Sequence, residues 1–271
     1  MRHQMTRISV SGLIVILILT VPVTVGAQQD RGRLDLTWSK AFMENTGILH
    51  SVFSLEYLRP IGGLAIQVEV PLSIVVFDPE NPFLENGSAM GNPRIGVLRS
   101  VGNDALLYMA GLRLPLAGDG ADALGALYMG SLTDPLYGGA WWADCLSVDV
   151  GVTYRPTAAE GIVPYAHLSL EYIVNTDPPV GADKSEFYLP AVLGGSIALG
   201  RGALTAEVRA NLWLTEDEGF TSDNPYSAIM LGYSFRRGGI EPSIRLGVPL
   251  SEYYKKAVDY LLSLSIGFDT P

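Results

Sequence analysis

The stretch Ala228–Leu250 reads AIMLGYSFRRGGIEPSIRLGVPL. Its first arm sets Ile229, Leu231, Tyr233 and Phe235 on one face, against Met230, Gly232, Ser234 and Arg236 on the other. After Gly238-Gly239 the alternation resumes, with Ile240, Pro242, Ile244, Leu246 and Val248 opposite Glu241, Ser243, Arg245 and Gly247. A period of two belongs to an extended strand, and paired glycines supply the positive φ of a tight hairpin turn.

Working outward from this hairpin, twelve such arms can be placed, at 33–42, 50–60, 64–75, 92–101, 105–116, 145–156, 162–174, 187–199, 203–214, 226–236, 240–250 and 258–268. Connections after even arms are short: Ile61-Gly62-Gly63, Gly102-Asn103-Asp104, Thr157–Gly161, Gly200-Arg201-Gly202 and Arg237-Gly238-Gly239. Those after odd arms are mostly longer, up to Ala117–Asp144. The pattern predicts an all-β fold, a transmembrane antiparallel up-and-down β-barrel of about 12 strands. Short periplasmic turns and long external loops then place both termini in the periplasm, which requires an even strand count. A soluble β-sandwich would also alternate, but it does not account for the systematic difference in turn length.

The predicted lipid face carries Leu64, Ile66, Val68 and Val70; Leu146, Val148, Val150 and Val152; and Leu204, Val208, Leu212 and Leu214. Its aromatics, Tyr57, Tyr108, Tyr154, Tyr233, Phe235 and Phe268, gather toward the short-turn ends, as in an interfacial girdle.

At the start of the chain, Arg2 and Arg7 precede the apolar run Leu13–Leu19, and Val25-Gly26-Ala27 offers small residues for cleavage. Residues 1–27 therefore read as a secretory signal peptide and 28–271 as the barrel. The alternative, a membrane anchor helix, needs a longer apolar run. The whole chain carries a net charge of −10, so losing those two arginines leaves −12. This acidity argues against a nucleic-acid partner. Cys145 stands alone, which excludes an intramolecular disulfide and a thiolate metal cluster. No cofactor or metal is expected. Glu216-Asp217-Glu218, with Asp223 nearby, reads as a solvated acidic loop and lacks the ligand spacing of a calcium-binding loop. The expected setting is the cell outer membrane, with its lipids and lipopolysaccharide as partners. The closing arm, Leu262, Leu264, Ile266, Phe268, is similar to the strand read by barrel-assembly machinery, although Asp269-Thr270-Pro271 follow the aromatic.

Strict alternation turns Asp35, Glu56, Glu69, Asp149, Glu171, Glu207, Glu241 and Asp259 inward, with Arg94, Arg113, Arg155, Arg209, Arg236, Arg245 and His167. From these, Glu69, Arg94, Arg113, Asp149, Glu171, Arg209 and Arg245 are the candidates for lining a lumen. Such charges form either a structural network of cross-strand pairs or a selectivity filter. Twelve tilted strands enclose a backbone radius of roughly 12 Å, which side chains narrow to a small-solute passage or close. Val70-Pro71-Leu72, Leu114-Pro115-Leu116 and Val248-Pro249-Leu250 put prolines at outer arm ends. There they end strand pairing, or form bulges that turn Glu69, Arg113 and Arg245 toward an outer vestibule. Asp134–Trp142, in the longest loop, lines an entrance, folds inward as a constriction or anchors at the interface.

Gly91-Asn92-Pro93-Arg94-Ile95-Gly96, followed by Leu112-Arg113-Leu114-Pro115-Leu116-Ala117-Gly118-Asp119, resembles paired features of a family of outer-membrane barrels. That family is named for the MetA pathway of phenol degradation, or simply as transporter-like. Its members have Gly-Asp-Pro-x-Leu-Gly on one strand and Leu-Lys-Leu-Pro with a Gly-Asp loop on the next. Here Asn92 replaces the aspartate and Arg113 the lysine. The resemblance covers two strands and implies passage of small hydrophobic or aromatic solutes. A structural or adhesive surface barrel is the alternative. His167-Leu168-Ser169 is also similar to the His-x-Ser spacing of outer-membrane phospholipase A. Alternation turns this pair away from lipid, so the chain is not expected to be an enzyme.

Overall fold

The computed structural model describes residues 32–43, 49–76, 86–102, 105–118, 120–136, 138–156, 161–177, 185–215 and 226–270. The predicted signal peptide, its cleavage site and the acidic loop at 216–223 lie outside them.

The alternating arms form the wall. Its strands are β1 (Gly32–Phe42), β2 (Leu49–Ile61), β3 (Leu64–Val76), β4 (Gly87–Met90), β5 (Arg94–Val101), β6 (Leu106–Arg113) and β7 (Cys145–Tyr154). They continue as β8 (Ile162–Asn175), β9 (Ser185–Leu199), β10 (Gly202–Trp213), β11 (Tyr226–Phe235), β12 (Ile240–Pro249) and β13 (Tyr260–Thr270). Every pairing is antiparallel, and β1 closes the ring on β13 from Gly32↔Thr270 to Phe42↔Tyr260. β4 and β5 both pair with β3, at Leu72–Val75 and Ala65–Glu69 respectively. They are the two halves of one wall strand interrupted at Gly91-Asn92-Pro93, so the barrel has twelve strands. The break faces Pro71, which cannot donate to the ladder and instead accepts the Gly91 N–H at 2.9 Å.

Gly238 and Gly239 have φ of +58° and +84°, the left-handed region that the hairpin turn requires. Gly32 of β1 and Thr270 of β13 pair at the barrel end that also holds the turns from β2 to β3, β9 to β10 and β11 to β12. The fifth predicted arm is shorter than expected, stopping at Arg113, and the last runs later, to Thr270. Arg155 and Asp259 are exposed just beyond strand ends rather than inside the barrel.

Outward positions form an apolar band, with Leu193 68% exposed near the middle of β9. Val192, its chain neighbour, faces an internal cavity. Leu193→Arg is therefore expected to cost about 2–4 kcal/mol of barrel stability in lipid vesicles. Val192→Arg, placed among lumenal acids, should cost less in the same urea titration. Equal losses would reverse the facing of β9.

The hydrophobic core lies inside the barrel at the long-loop end. The connection from β6 to β7 folds into the mouth as helix α1 (Ala121–Thr133) followed by a 3-10 turn at Gly138–Ala140. Ala, Leu and Met give this segment high helix propensity, and Pro135 prevents its continuation. With only Asp122 charged, it buries Ala126, Leu127, Met129 and Leu132. These pack in one cluster with Ala41, Val52, Val75, Ala89 and Met230 of the wall. Trp141 lies so close to Gly130 that a Cβ there would come within 2.3 Å of its ring. A second helix, α2 (Glu252–Ala257), joins β12 to β13 and sends Tyr254 into the same cluster, its hydroxyl donating to Leu132 O at 2.5 Å. The long loop thus folds inward as a plug.

Candidate functional site: a plugged lumen

The plug is held by the motif that interrupts the wall. Asn92 is fully buried, and its Nδ2 donates to the carbonyls of Gly139, Trp142 and Cys145 at 2.9, 2.7 and 3.1 Å. Its Oδ1 accepts the N–H groups of Leu116 and Ala117 at 2.9 and 2.8 Å. One side chain therefore ties both ends of the plug loop together. The Asn92 N–H adds a bond to Ala140 O at 2.7 Å. Across the same rim, on β10, Asn211 Nδ2 donates to Pro135 O at 2.9 Å. His50 Nε2 accepts the Ala41 N–H at 3.0 Å and lies 3.1 Å from Thr133 Oγ1.

Beneath the 3-10 turn lies a buried charge network on β3 and β5–β8. Arg94 forms a fork on Asp149, with Nε–Oδ1 at 2.8 Å and Nη2–Oδ2 at 2.6 Å, and also donates to Gln67 Oε1. To reach β7 from β5 it crosses Gly111 of β6, where a Cβ would stand 2.4 Å from Arg94 Nε. Arg113, 1% exposed, pairs with Glu69 at 3.0 Å and Glu171 at 4.0 Å, and donates to Asn92 O. Glu171 also accepts Ser147 Oγ–H at 2.9 Å. These groups answer one another across strands, as taking charges out of water requires.

Below the plug the lumen holds a cavity of about 410 Å³. Thr133, Asp134, Pro135 and Leu136 form its roof. Of the seven sequence-predicted residues, Glu69, Arg209 and Arg245 line it. Arg94, Arg113, Asp149 and Glu171 face inward but are buried in the network. A vestibule shared by Glu69, Arg113 and Arg245 does not form, because the plug seals Arg113. Arg209 pairs with Glu207, which also accepts the Tyr165 hydroxyl. His167 and Ser169 both turn inward, but His167 Nδ1 pairs with Thr153 Oγ1 at 2.9 Å and Ser169 is buried.

Asp134 is the titratable group of the roof. Burial pushes its carboxyl above the usual carboxylate range, against the pull of Arg209. A raised folded-state value stabilises the seated plug below about pH 4, and that contribution is lost as pH rises through the raised value. Hydrogen exchange at 123–133 should accordingly quicken with pH beyond its intrinsic trend. Asp134→Asn should remove the excess, and an unchanged pH profile in that variant would exclude Asp134 as its source.

Sequence reasoning did not place α1 or the Asn92 clamp. The available signals were an almost uncharged run rich in helix formers inside the longest loop, and an amide next to proline within a predicted strand.

No protein-family model matches the sequence, and no curated protein matches it. The fold is that of solved outer-membrane barrels. An outer membrane channel from Pseudomonas putida F1 superposes with a TM-score of 0.62 at 13% identity, covering 92% of this chain and 100% of that one. The translocator domain of the autotransporter NalP from Neisseria meningitidis gives 0.54 at 11% identity, covering 89% of each chain. LpxR from Salmonella typhimurium gives 0.51 at 10%, covering 87% of this chain and 99% of that one. What these three share with the present chain is the closed barrel.

Proposed function

We propose that this barrel is an outer-membrane channel that passes small solutes, hydrophobic or aromatic ones among them, through a lumen normally stopped by α1. The observation that carries the reading is the cavity between wall and plug. A barrel serving only as a scaffold has no need of a mixed apolar and charged chamber behind a tethered helix. The likeness to a solved outer membrane channel over nearly the whole chain is in keeping with it. So are the two stretches that resemble motifs of the phenol-degradation family, although one of them, at Gly91-Asn92-Pro93, holds the plug. In this reading Glu69, Arg209 and Arg245 line the path, while Arg94, Arg113, Asp149 and Glu171 maintain its wall. Export by a cleaved signal peptide, assembly by the barrel-assembly machinery and contact with lipopolysaccharide belong to the same proposal. Both termini then lie in the periplasm, and no catalytic role is assigned.

Purified protein in planar bilayers tests the reading. Discrete conductance that grows when the plug tether at Asn92 is cut supports passage through the lumen. Silence of both the parent and a folded, untethered variant would overturn it in favour of a structural or adhesive surface barrel.

A further inference from the structure

Among the ionic groups lining the cavity, Arg245 differs in its surroundings. Its partners in register are Gly232 on β11 and Ser263 on β13, so neither flanking strand offers a carboxylate directly opposite it. It makes no hydrogen bond or ion pair among the described residues, and its side chain opens to the cavity. The acids on the same wall are otherwise engaged. Glu207 takes Arg209 and the Tyr165 hydroxyl, Glu69 takes Arg113, and Glu56 accepts the Gln67 amide at 2.7 Å. On the roof, burial favours the neutral form of Asp134.

An arginine with no hydrogen-bonded carboxylate, although Glu207 and Asp35 attract it from a distance, is a ready site for a planar oxyanion, because its guanidinium matches a carboxylate in two parallel hydrogen bonds. The rest of the chamber suits a ring. Met109, Leu136, Val192, Met230 and Leu262 supply apolar surface, and Tyr226 an aromatic face. A volume of about 410 Å³ falls at the small end of the ligand-pocket range of about 300–1,000 Å³. One-ring molecules fit such a space better than large amphiphiles.

We propose that the lumenal cavity is a binding site for small aromatic carboxylates, with the carboxylate on Arg245 and the ring among Met109, Val192 and Met230. This deepens the channel reading by naming a solute class and rests on it for its physiological meaning. The binding itself can be tested apart from passage.

The probes are benzoate, benzyl alcohol and benzylamine, titrated calorimetrically into the purified full chain in detergent. Benzoate should bind at least tenfold more tightly than either of the others. Arg245→Gln should erase that preference and leave benzyl alcohol unchanged. Val192→Trp, which fills the cavity, should weaken all three, and heat-modifiable gel mobility would verify that both variants are folded. Equal binding of the three probes, no binding of any, a preference for benzylamine, or an undiminished benzoate preference in folded Arg245→Gln would each overturn the proposal. Benzoate binding in a barrel that conducts nothing would uphold the site and remove the channel reading. Conductance without benzoate preference would do the reverse.

Discussion

Asn92→Asp is expected to release the plug while leaving the barrel wall closed. The amide is uniquely suited to its place, since its NH₂ meets three carbonyl oxygens while its oxygen accepts two N–H groups. Aspartate keeps the acceptor side but presents a second oxygen, and a negative charge, to the carbonyls of Gly139, Trp142 and Cys145. Each buried polar group left unsatisfied costs about 1–3 kcal/mol, so a loss of at least 3 kcal/mol falls on the seated loop. The wall does not share it, because β1 and β13 close the ring elsewhere. Amide exchange over 123–133 should rise by two orders of magnitude or more, with increased bilayer conductance and unchanged gel mobility. Asn211→Asp, which loses a single bond to Pro135 O, should do much less. Parent-like exchange in Asn92→Asp would show that packing of α1 alone holds the plug.

Arg113→Gln should damage the wall rather than alter ion preference. The guanidinium is fully buried between Glu69 and Glu171, and its loss strands two carboxylates beneath the 3-10 turn. Removing one partner from a buried ion pair costs about 3–5 kcal/mol. By contrast, Arg236 pairs with Asp269 at the short-turn rim with its side chain 60% exposed, and Arg236→Gln should cost at most about 1 kcal/mol. Urea midpoints measured in vesicles would separate the two. Comparable shifts would mean that solvent reaches the Arg113 network and that its charges act on the lumen after all.

The difference between these two arginines marks how far the sequence could be read. Alternation is a local signal, and so are the glycine turns. The strand positions, their facing and most of the inward acids and arginines follow from both, Arg155 and Asp259 excepted because they fall just beyond strand ends. Pairing is not local. Nothing along the chain says that Arg94 passes over Gly111 to Asp149, because the space it needs is made by a side chain that is absent. The plug helix escaped for a related reason. Wedged inside a barrel it is apolar on several sides, and so shows no amphipathic stripe to distinguish it from a loop rich in small residues. Asn92 belonged to a motif legible as a resemblance, but its function depends on carbonyls that converge only after the loop has folded.

The clamp and everything it grips lie within residues 92–145, in the plug loop and at the ends of the neighbouring strands β5, β6 and β7. Contacts between segments so close in the chain form early and at low entropic cost, before distant ones such as β1 with β13. The plug helix itself packs on β1–β4, which precede it in the chain, so it can settle onto these first strands while the later ones are still being laid down. It would be enclosed as the last seam joins, with no need to thread through a finished mouth. Biogenesis, on this view, delivers the barrel already stoppered, and the membrane is never exposed to an open hole.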